Sequence, residues 1–284
     1  MGGAGQGALV RIRSTYPALA PAEQKVADYV LSAPQEAIYS SVTELAEASG
    51  VGEATVIGFC LDVGYRGVQE FKLVLAADLA APAEGLTGDI GPEDDLAAAV
   101  QKVSHANRQA IGDTVNVLDL EQLDKAAEAI AAARKVEFYG VGASGITALD
   151  AKYKFMRIGR ACEAFSDPHL AAMSASLLQP GDVAVGISHS GSTKDVVDAL
   201  REARKSGATI VCLTDHARSP ITAVAGVVLL TASREAPLAS GALRSKIAQV
   251  HLLDLLFTGV VMKLRDQARE STRRTAQAVV DKLY

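Results

Sequence analysis

Cysteine and long apolar runs are both scarce in this sequence. The cysteines, Cys60, Cys162 and Cys212, are odd in number, widely spaced and set in apolar surroundings. That pattern is typical of reduced core thiols in a cytoplasmic protein and gives no support to a metal site. No apolar run approaches the roughly 18–20 residues that span a bilayer. The glycine-rich start, residues 1–7, lacks the charged-then-apolar order of a signal peptide. We therefore expect a cytoplasmic protein with no membrane partner.

An excess of positive charge is also missing. The formal net charge is −5 at pH 7, which argues against general, charge-driven nucleic-acid binding but leaves room for a local basic face. His105, His216 and His251 lie apart without metal-ligand spacing, so we expect no metal and no cofactor. The chain has 284 residues, 49% of them hydrophobic. That is long enough for two domains, each with its own core.

The first eighty residues show helical spacing of apolar side chains. A helix is predicted to start at Pro21 and to stop at Pro34. Ser41 and Glu44 then form a capping box, the turn 50–52 follows, and a second short helix runs from residue 53 to about residue 63. This order predicts a helix-turn-helix, whose second helix enters a major groove of DNA. An ordinary helical hairpin is the alternative.

Composition changes after residue 80. Residues 80–92 are rich in Ala, Pro and Gly and indicate a linker. Beyond a helical region, short apolar runs alternate with helices, which indicates a parallel sheet covered on both faces. The predicted fold class is α/β, with an all-helical helix-turn-helix domain joined to a doubly wound parallel sheet. We place the domains at residues 1–80 and 96–284, with a linker at 81–95. The predicted strands are Val136–Tyr139, Ala164–Phe165, Val183–Ile187, Thr209–Leu213 and Val227–Thr231.

Two turns after predicted strands carry candidate chemistry. In the first, residues 140–145, Gly142 and Gly145 permit close backbone approach and Ser144 can donate its hydroxyl at a helix N-terminus. This turn also fits a dinucleotide site or simple packing.

The second turn is more specific. It runs from Ser188 through His189, Ser190, Gly191 and Ser192 to Thr193, and a helix follows it. Its four hydroxyls lie beside the free N–H groups and the positive dipole end of that helix, which suits a phosphate dianion. Helix capping is the alternative. No Gly-Lys-Ser/Thr sequence of a nucleotide P-loop is present, which points away from ATP and GTP.

Further polar residues can surround such a ligand. His169 follows Asp167-Pro168 at a helix start and can bond a sugar hydroxyl or a phosphate, or merely lie on the surface. Ser240 and Lys246 belong to the segment that opens the last long helix, where a solvated helix start is the alternative.

The segment 41–60, continued by 64–72, resembles the N-terminal domain of RpiR-family transcriptional regulators, and the second half resembles their sugar isomerase (SIS) domain. The resemblance implies a phosphosugar effector held by Ser144, Ser188, Ser190 and Thr193. It also favours ligand contacts by His169 and by Lys246, often in a neighbouring subunit. Operator DNA is the implied partner, and a homodimer or homotetramer is the implied assembly.

The sequence departs from the family in the recognition helix. The family carries a basic residue where this chain has Gly58, and it usually carries another where this chain has Leu61. It also usually has Ser at the position of Gly52. Such basic side chains contact phosphates and base edges, so we predict weakened DNA binding. The candidate DNA contacts are Lys25, Ser41, Thr43, Glu53, Thr55, Arg66 and Lys72.

A sugar-phosphate isomerase is the rival interpretation, because such enzymes use the same domain. Isomerisation needs a base beside the carbonyl, usually Glu or His. Glu163, Glu235, His169 and His251 are available, but none belongs to a recognisable catalytic motif. We predict a sensor-regulator and no enzyme. A phosphosugar-binding protein with impaired DNA binding is the third possibility.

Overall fold

The computed structural model describes residues 8–79, 90–91, 93–233 and 243–282. Contacts divide the chain into two compact units. The first covers the described residues up to 108, and the second runs from 109 to 233 and from 244 onward. The chain passes from one to the other inside helix α7 (Leu96–Val117). Most of the predicted linker lies outside the described residues, and the domain limits stay a prediction.

The first unit is helical, as predicted. Helix α2 ends at Ser32, but Pro34 then begins a further short helix. Proline fits a first helical turn, where its missing N–H has no intrahelical partner. Before α7 the described helices are α1 (Ala8–Thr15), α2 (Pro21–Ser32), α3 (Pro34–Tyr39), α4 (Val42–Ser49), α5 (Glu53–Asp62) and α6 (Val68–Leu79).

Helices α4 and α5 form the predicted helix-turn-helix. The capping box is confirmed: the Glu44 amide donates to Ser41 Oγ at 3.1 Å, and the Ser41 amide donates to Glu44 Oε2 at 2.7 Å. Gly50 ends α4 in the left-handed region with φ +64°. Phe59 of α5 packs edge-on against Phe71 of α6, with ring centroids 5.5 Å apart. The buried face of α5 is therefore fixed by α6.

A parallel sheet forms the second unit. Its strands are β1 (Val136–Tyr139), β2 (Cys162–Phe165), β3 (Val183–Ile187), β4 (Thr209–Thr214) and β5 (Val227–Leu230), in the order β2-β1-β3-β4-β5. Every neighbouring pair is parallel. Each predicted strand is confirmed to within two residues at either end. Strands β1 and β3 are buried along their whole length, because helices cover both faces.

Two apolar layers flank this sheet. Ile130, Phe155 and Leu256 belong to the core on one face, and Ala175 and Leu200 belong to the core on the other. The doubly wound fold is therefore confirmed. The helices of this unit, after α7, are α8 (Leu120–Ala132), α9 (Ala143–Arg157), α10 (Pro168–Ala175), α11 (Lys194–Lys205), α12 (Leu243–Leu264) and α13 (Asp266–Gln277).

Helix α12 is the one described helix that is long and apolar enough to cross a membrane. Its stretch Arg244–Leu264 has a mean hydropathy of 1.5. We found no apolar run of this length in the sequence, since polar residues such as Gln249 and Asp254 stand within the stretch. Leu252 and Leu256 are fully buried in the core of the sheet unit. Of the apolar stretch, 33% is buried, so α12 contributes part of its length to this core.

The cysteines are free thiols. Burial raises the pKa of Cys60 and of Cys212 to about 12, and that of Cys162 to about 11. Cys60 and Cys212 are buried, as predicted, whereas Cys162 lies on edge strand β2 and is half-buried. High pKa values disfavour the reactive thiolate form.

Candidate functional site

The two predicted turns meet at one edge of the sheet. The first follows β1 and the second follows β3, and these strands are neighbours. From β1 the chain crosses outward to β2 and later returns to β3 on the other side of β1. In open parallel sheets, ligands bind at the carboxyl ends of the strands where the strand order reverses in this way. The topology therefore places both turns where a ligand site is expected.

Tight backbone packing shapes the first turn. A Cβ atom on Gly140 would lie 2.5 Å from the Ser144 carbonyl oxygen, and one on Gly145 would lie 2.9 Å from the Gly140 oxygen. Gly142 has φ +60° immediately before α9. The glycines let the chain turn sharply into α9, which leaves Ser144 half-buried in its first turn.

Hydroxyls of the second turn bond mainly within the turn. Ser188 Oγ lies 2.9 Å from Thr193 Oγ1. Ser190 Oγ accepts from the Ser192 amide at 3.3 Å, and Ser192 Oγ donates to the Ser190 carbonyl at 3.2 Å. Of the four hydroxyls, that of Ser192 therefore uses its proton in a hydrogen bond inside the turn. Ser188 and Thr193 have two protons and share one hydrogen bond, so one proton is left to donate to an anion.

Helix capping does not explain this turn. Thr193 is the N-cap residue of α11, yet its side chain makes no capping hydrogen bond. The first amides of a helix have no intrahelical partner, and they carry the positive end of the helix dipole. The start of α11 therefore combines amide donors with hydroxyls, which is an arrangement suited to a phosphate.

A shallow cleft lies beside the first turn and the start of α11. The end of β1, the segment after β2 and the first turn of α11 line it, including Gly140, Ser166, Asp167, Pro168 and Asp195. Asp167 caps α10 by accepting from the Leu170 amide at 2.9 Å.

The other predicted ligand residues have different surroundings. His169 is exposed in the first turn of α10, next to Pro168 of the cleft. Lys246 is half-buried near the start of α12. Ser240 lies outside the described residues.

His189 turns towards Asp215. Its Nδ1 lies 3.7 Å from Asp215 Oδ1. The same carboxylate accepts from Thr231 Oγ1 at 2.5 Å and from the Ser233 amide at 2.9 Å. One acidic side chain thus faces both the second turn and the segment that follows β5.

A buried carboxylate lies on β1, ahead of the first turn. Glu137 is fully buried. It accepts from Ser174 Oγ at 2.7 Å, pairs with Lys135 Nζ at 2.5 Å and bonds the Tyr139 hydroxyl. Burial, followed by this bond to Glu137, raises the pKa of Tyr139. The carboxylate is held by three partners, so its role is to fix β1 and Tyr139, whose ring lines the cleft.

Only some of the predicted DNA-contact residues of the first unit are exposed to solvent. Lys25 is exposed on α2, and Thr55 is half-buried on α5. The Thr43 hydroxyl donates to the carboxylate of Glu53, the first residue of α5. Arg66 is exposed but pairs with Glu70, with Nη2 and Oε1 3.1 Å apart.

Two predicted DNA contacts are wrong. Lys72 is 8% exposed, and its Nζ donates to the Ser40 carbonyl at 2.9 Å. Burial lowers its pKa to about 8. Ser41 is 3% exposed, and its hydroxyl caps α4. Both side chains stabilise the helices and do not face solvent, because the turn before α4 lies against α6.

The comparisons with known proteins agree with this architecture. The rpiR-family helix-turn-helix domain matches residues 6–82, and the SIS domain matches residues 129–259. An HTH-type transcriptional regulator of Caldanaerobacter subterraneus subsp. tengcongensis is 45% identical over 255 residues, which is 90% of each chain. HexR of Pseudomonas aeruginosa, an HTH-type transcriptional regulator, is 33% identical, covering 97% of this chain and 96% of HexR.

A solved structure matches the whole chain as well. It is the Vibrio vulnificus NanR protein complexed with ManNAc-6P, with 32% identity and a TM-score of 0.85. The match covers 97% of this chain and 99% of that one. This chain belongs to the rpiR family of HTH-type transcriptional regulators.

The recognition helix of this rpiR regulator has an unusual exposed face. Ile57 is 45% exposed and Leu61 is 52% exposed, and α5 contains no Lys or Arg. A Cβ atom on Gly58 would lie 3.1 Å from Glu23 Oε1. The positions where basic residues are expected from the sequence resemblance, Gly58 and Leu61, are therefore partly open to solvent but carry no charge.

Two residues of the sheet unit escaped the sequence reasoning. Gln249 contacts Ser144 from α12, and Asp215 contacts His189 from the end of β4. Neither belongs to a glycine-rich or hydroxyl-rich motif. Both residues are far along the chain from their partners in the turns, and only the strand order places them in contact.

Proposed function

We propose that this rpiR regulator binds operator DNA through its first unit and a sugar phosphate at the β1 and β3 turns. We further propose that it is a cytoplasmic protein and that it forms a homodimer or a homotetramer. One observation carries the proposal: the hydroxyl-rich turn 188–193 lies at the point where the strand order reverses, in front of a helix start that its own Thr193 leaves uncapped.

NanR supports the choice of effector class. The chain shares 32% of its residues and nearly its full length with NanR, which was solved with ManNAc-6P. A phosphorylated sugar needs hydrogen-bond donors for the phosphate and polar side chains for the sugar. Ser144, Ser188, Ser190 and Thr193 serve the phosphate, with backbone amides around Gly191. His169, Ser240 and Lys246 serve the sugar.

A ligand screen tests this function. Thermal shift is measured with hexose, amino-sugar and keto-deoxy sugar phosphates, each beside its unphosphorylated parent. The best ligand is then titrated by calorimetry into the protein and into Ser190→Ala. A hydrogen bond to a charged group is worth roughly 1.5–3 kcal/mol, so the variant should bind at least about tenfold more weakly. Ser206→Ala, at the far end of α11, is the control. Equal affinity for phosphorylated and parent sugar would exclude a phosphate site.

The sheet unit is proposed to sense its ligand without converting it. The buried carboxylate of Glu137 is fully paired, and Glu163 lies exposed on edge strand β2 in an ion pair with Lys152 at 2.6 Å. The relatives quoted above are named as regulators. Aldose and ketose phosphates are incubated with the protein and followed by NMR. Interconversion at roughly 1 per second or faster, lost in Ser190→Ala, would make the protein an isomerase.

A further inference from the structure

A buried amide lies behind the first turn of the site. Gln249, on α12, is 2% exposed, and its polar atoms contact the hydroxyls of Ser144 and Thr147 on α9. Burying an amide is unfavourable unless its donors and acceptor find partners. A glutamine in a core helix, facing a residue of the candidate site, therefore needs an explanation beyond packing.

The directions of these hydrogen bonds favour one proton arrangement. Gln249 Nε2 donates to Ser144 Oγ at 3.1 Å, and Gln249 Oε1 accepts from Thr147 Oγ1 at 3.2 Å. The distance from Ser144 Oγ to Oε1 is longer, 3.4 Å. An amide nitrogen can only donate and a hydroxyl carries one proton. The shorter contacts thus favour an arrangement in which Ser144 accepts from Gln249 Nε2 and directs its own proton away from Gln249.

We propose that Gln249 is a positioning residue that keeps the Ser144 hydroxyl as a hydrogen-bond donor to the phosphate of the effector. Thr147 completes the arrangement, because its hydroxyl is the nearer donor to Oε1, at 3.2 Å against 3.4 Å, and competes with the Ser144 proton for that oxygen. The inference rests on the proposed phosphosugar site and adds a determinant of its preference for an anion. It also ties α12, which carries Lys246, to the turn after β1.

Two substitutions of Gln249 separate this role from packing. Gln249→Glu keeps the shape but can only accept while ionised, so it draws the Ser144 proton inward and adds negative charge behind it. Affinity for ManNAc-6P should fall about ten- to a hundredfold, the range for losing a hydrogen bond to a charged group. Gln249→Met removes the hydrogen bonds without adding charge and should cost less, about threefold to tenfold. Calorimetry gives the affinities, and the melting temperature shows that each variant is folded.

A double-mutant cycle identifies the route of the effect. If Gln249 acts through Ser144, Gln249→Met should cost nothing further in a Ser144→Ala background. Thr147→Val, which leaves Gln249 in place, should weaken binding in the same direction and covers the case in which a Gln249 variant does not fold. Additive losses in the cycle, or Gln249→Glu binding as well as the unmodified protein, would overturn the inference.

The same titrations separate this inference from the proposed function. Should the unmodified protein bind none of the screened sugar phosphates, ManNAc-6P included, and no millimolar inorganic phosphate, the phosphate site itself fails, and the role of Gln249 fails with it. Should the unmodified protein bind and the cycle prove additive, only the role of Gln249 is lost.

Discussion

Nδ1 of His189, in the second turn, lies 3.7 Å from Oδ1 of Asp215, which also bonds the segment after β5. Asp215 holds that segment through three donors: the Thr231 hydroxyl, the Ser233 amide and the Ser233 hydroxyl. The side chain of Asp215 is only 11% exposed. The Asp215 carboxylate therefore anchors the backbone beyond β5 and, at the same time, forms part of the surroundings of His189.

Replacing this carboxylate by an amide should destabilise the sheet unit. In Asp215→Asn one acceptor oxygen becomes a donor, so either Thr231 or Ser233 loses its partner. Hydrogen bonds to charged groups are worth roughly 1.5–3 kcal/mol, and we expect a loss of at least about 1.5 kcal/mol in the free energy of unfolding. Urea denaturation measures it. Asp113→Asn, exposed on α7, is the matched control, and an equal effect of both changes would refute the anchoring role.

The second turn, the proposed phosphate site, should tolerate no side chain at Gly191. Its φ is +62°, and a Cβ atom there would lie 2.2 Å from Ser219 Oγ and 2.6 Å from Ser219 Cβ. Gly181 has a similar φ of +91° with open space around it. Gly181→Ala therefore measures the backbone cost alone, about 1–2 kcal/mol. Gly191→Ala should cost about 1–3 kcal/mol more from overpacking and should abolish sugar-phosphate binding.

A second change tests the cause of that loss. Adding Ser219→Gly to Gly191→Ala removes the two atoms nearest to the new methyl group and leaves Thr214 Oγ1 at 3.0 Å. Stability in urea should return towards that of Gly181→Ala. No recovery would show that the crowding against Ser219 is not what excludes a side chain.

Lys72 should make stability depend on pH in the alkaline range. Its pKa is lowered from 10.5 to about 8 by burial, so the unfolded chain binds more protons than the folded one between these values. The contribution of Lys72 to the free energy of unfolding therefore rises with pH across that window, whereas the raised pKa values of the cysteines make theirs fall. From pH 7.5 to 9.5 the gain from Lys72, taken as the difference between the protein and a variant without this amine, should be on the order of 2 kcal/mol. Urea denaturation of the protein and of Lys72→Met measures it, and a variant with the same pH dependence as the unmodified protein would contradict this origin.

Local signals in the sequence predicted most of the fold. The Ser41–Glu44 capping box, the left-handed Gly50 and the buried apolar strands each act over a few residues, so they are readable from the chain alone. The partners of site residues are not. Gln249 reaches Ser144 only because the sheet order sets α12 beside α9. The prediction that Lys72 contacts DNA was wrong for the same reason. Its charge suggested a DNA contact, and only the packing of α6 against the turn at Ser40 shows that it is buried.

The exposed face of α5 bears on how strongly this regulator holds DNA. Ile57 and Leu61 occupy that face, where basic residues would contact phosphates. Phosphate contacts dominate affinity and set its salt dependence. At Gly58, a new side chain would first meet the Glu23 carboxylate, which caps α2 through the Ala20 amide at 3.1 Å. Leu61 is therefore the cleaner position for adding charge.

Leu61→Arg should tighten binding to the DNA upstream of the protein's own coding sequence. Each added phosphate contact steepens the slope of log affinity against log salt by about 0.9, so a dimer should gain roughly 2. Gel-shift titrations at several salt concentrations give this slope, and adding Gly58→Arg should increase it further. Leu96→Arg adds the same charge on α7, at a side chain 82% exposed, and should leave the slope nearly unchanged. If the unmodified protein already binds at nanomolar concentration in physiological salt and Leu61→Arg adds nothing, α5 does not need basic residues, and its apolar face makes the contacts itself.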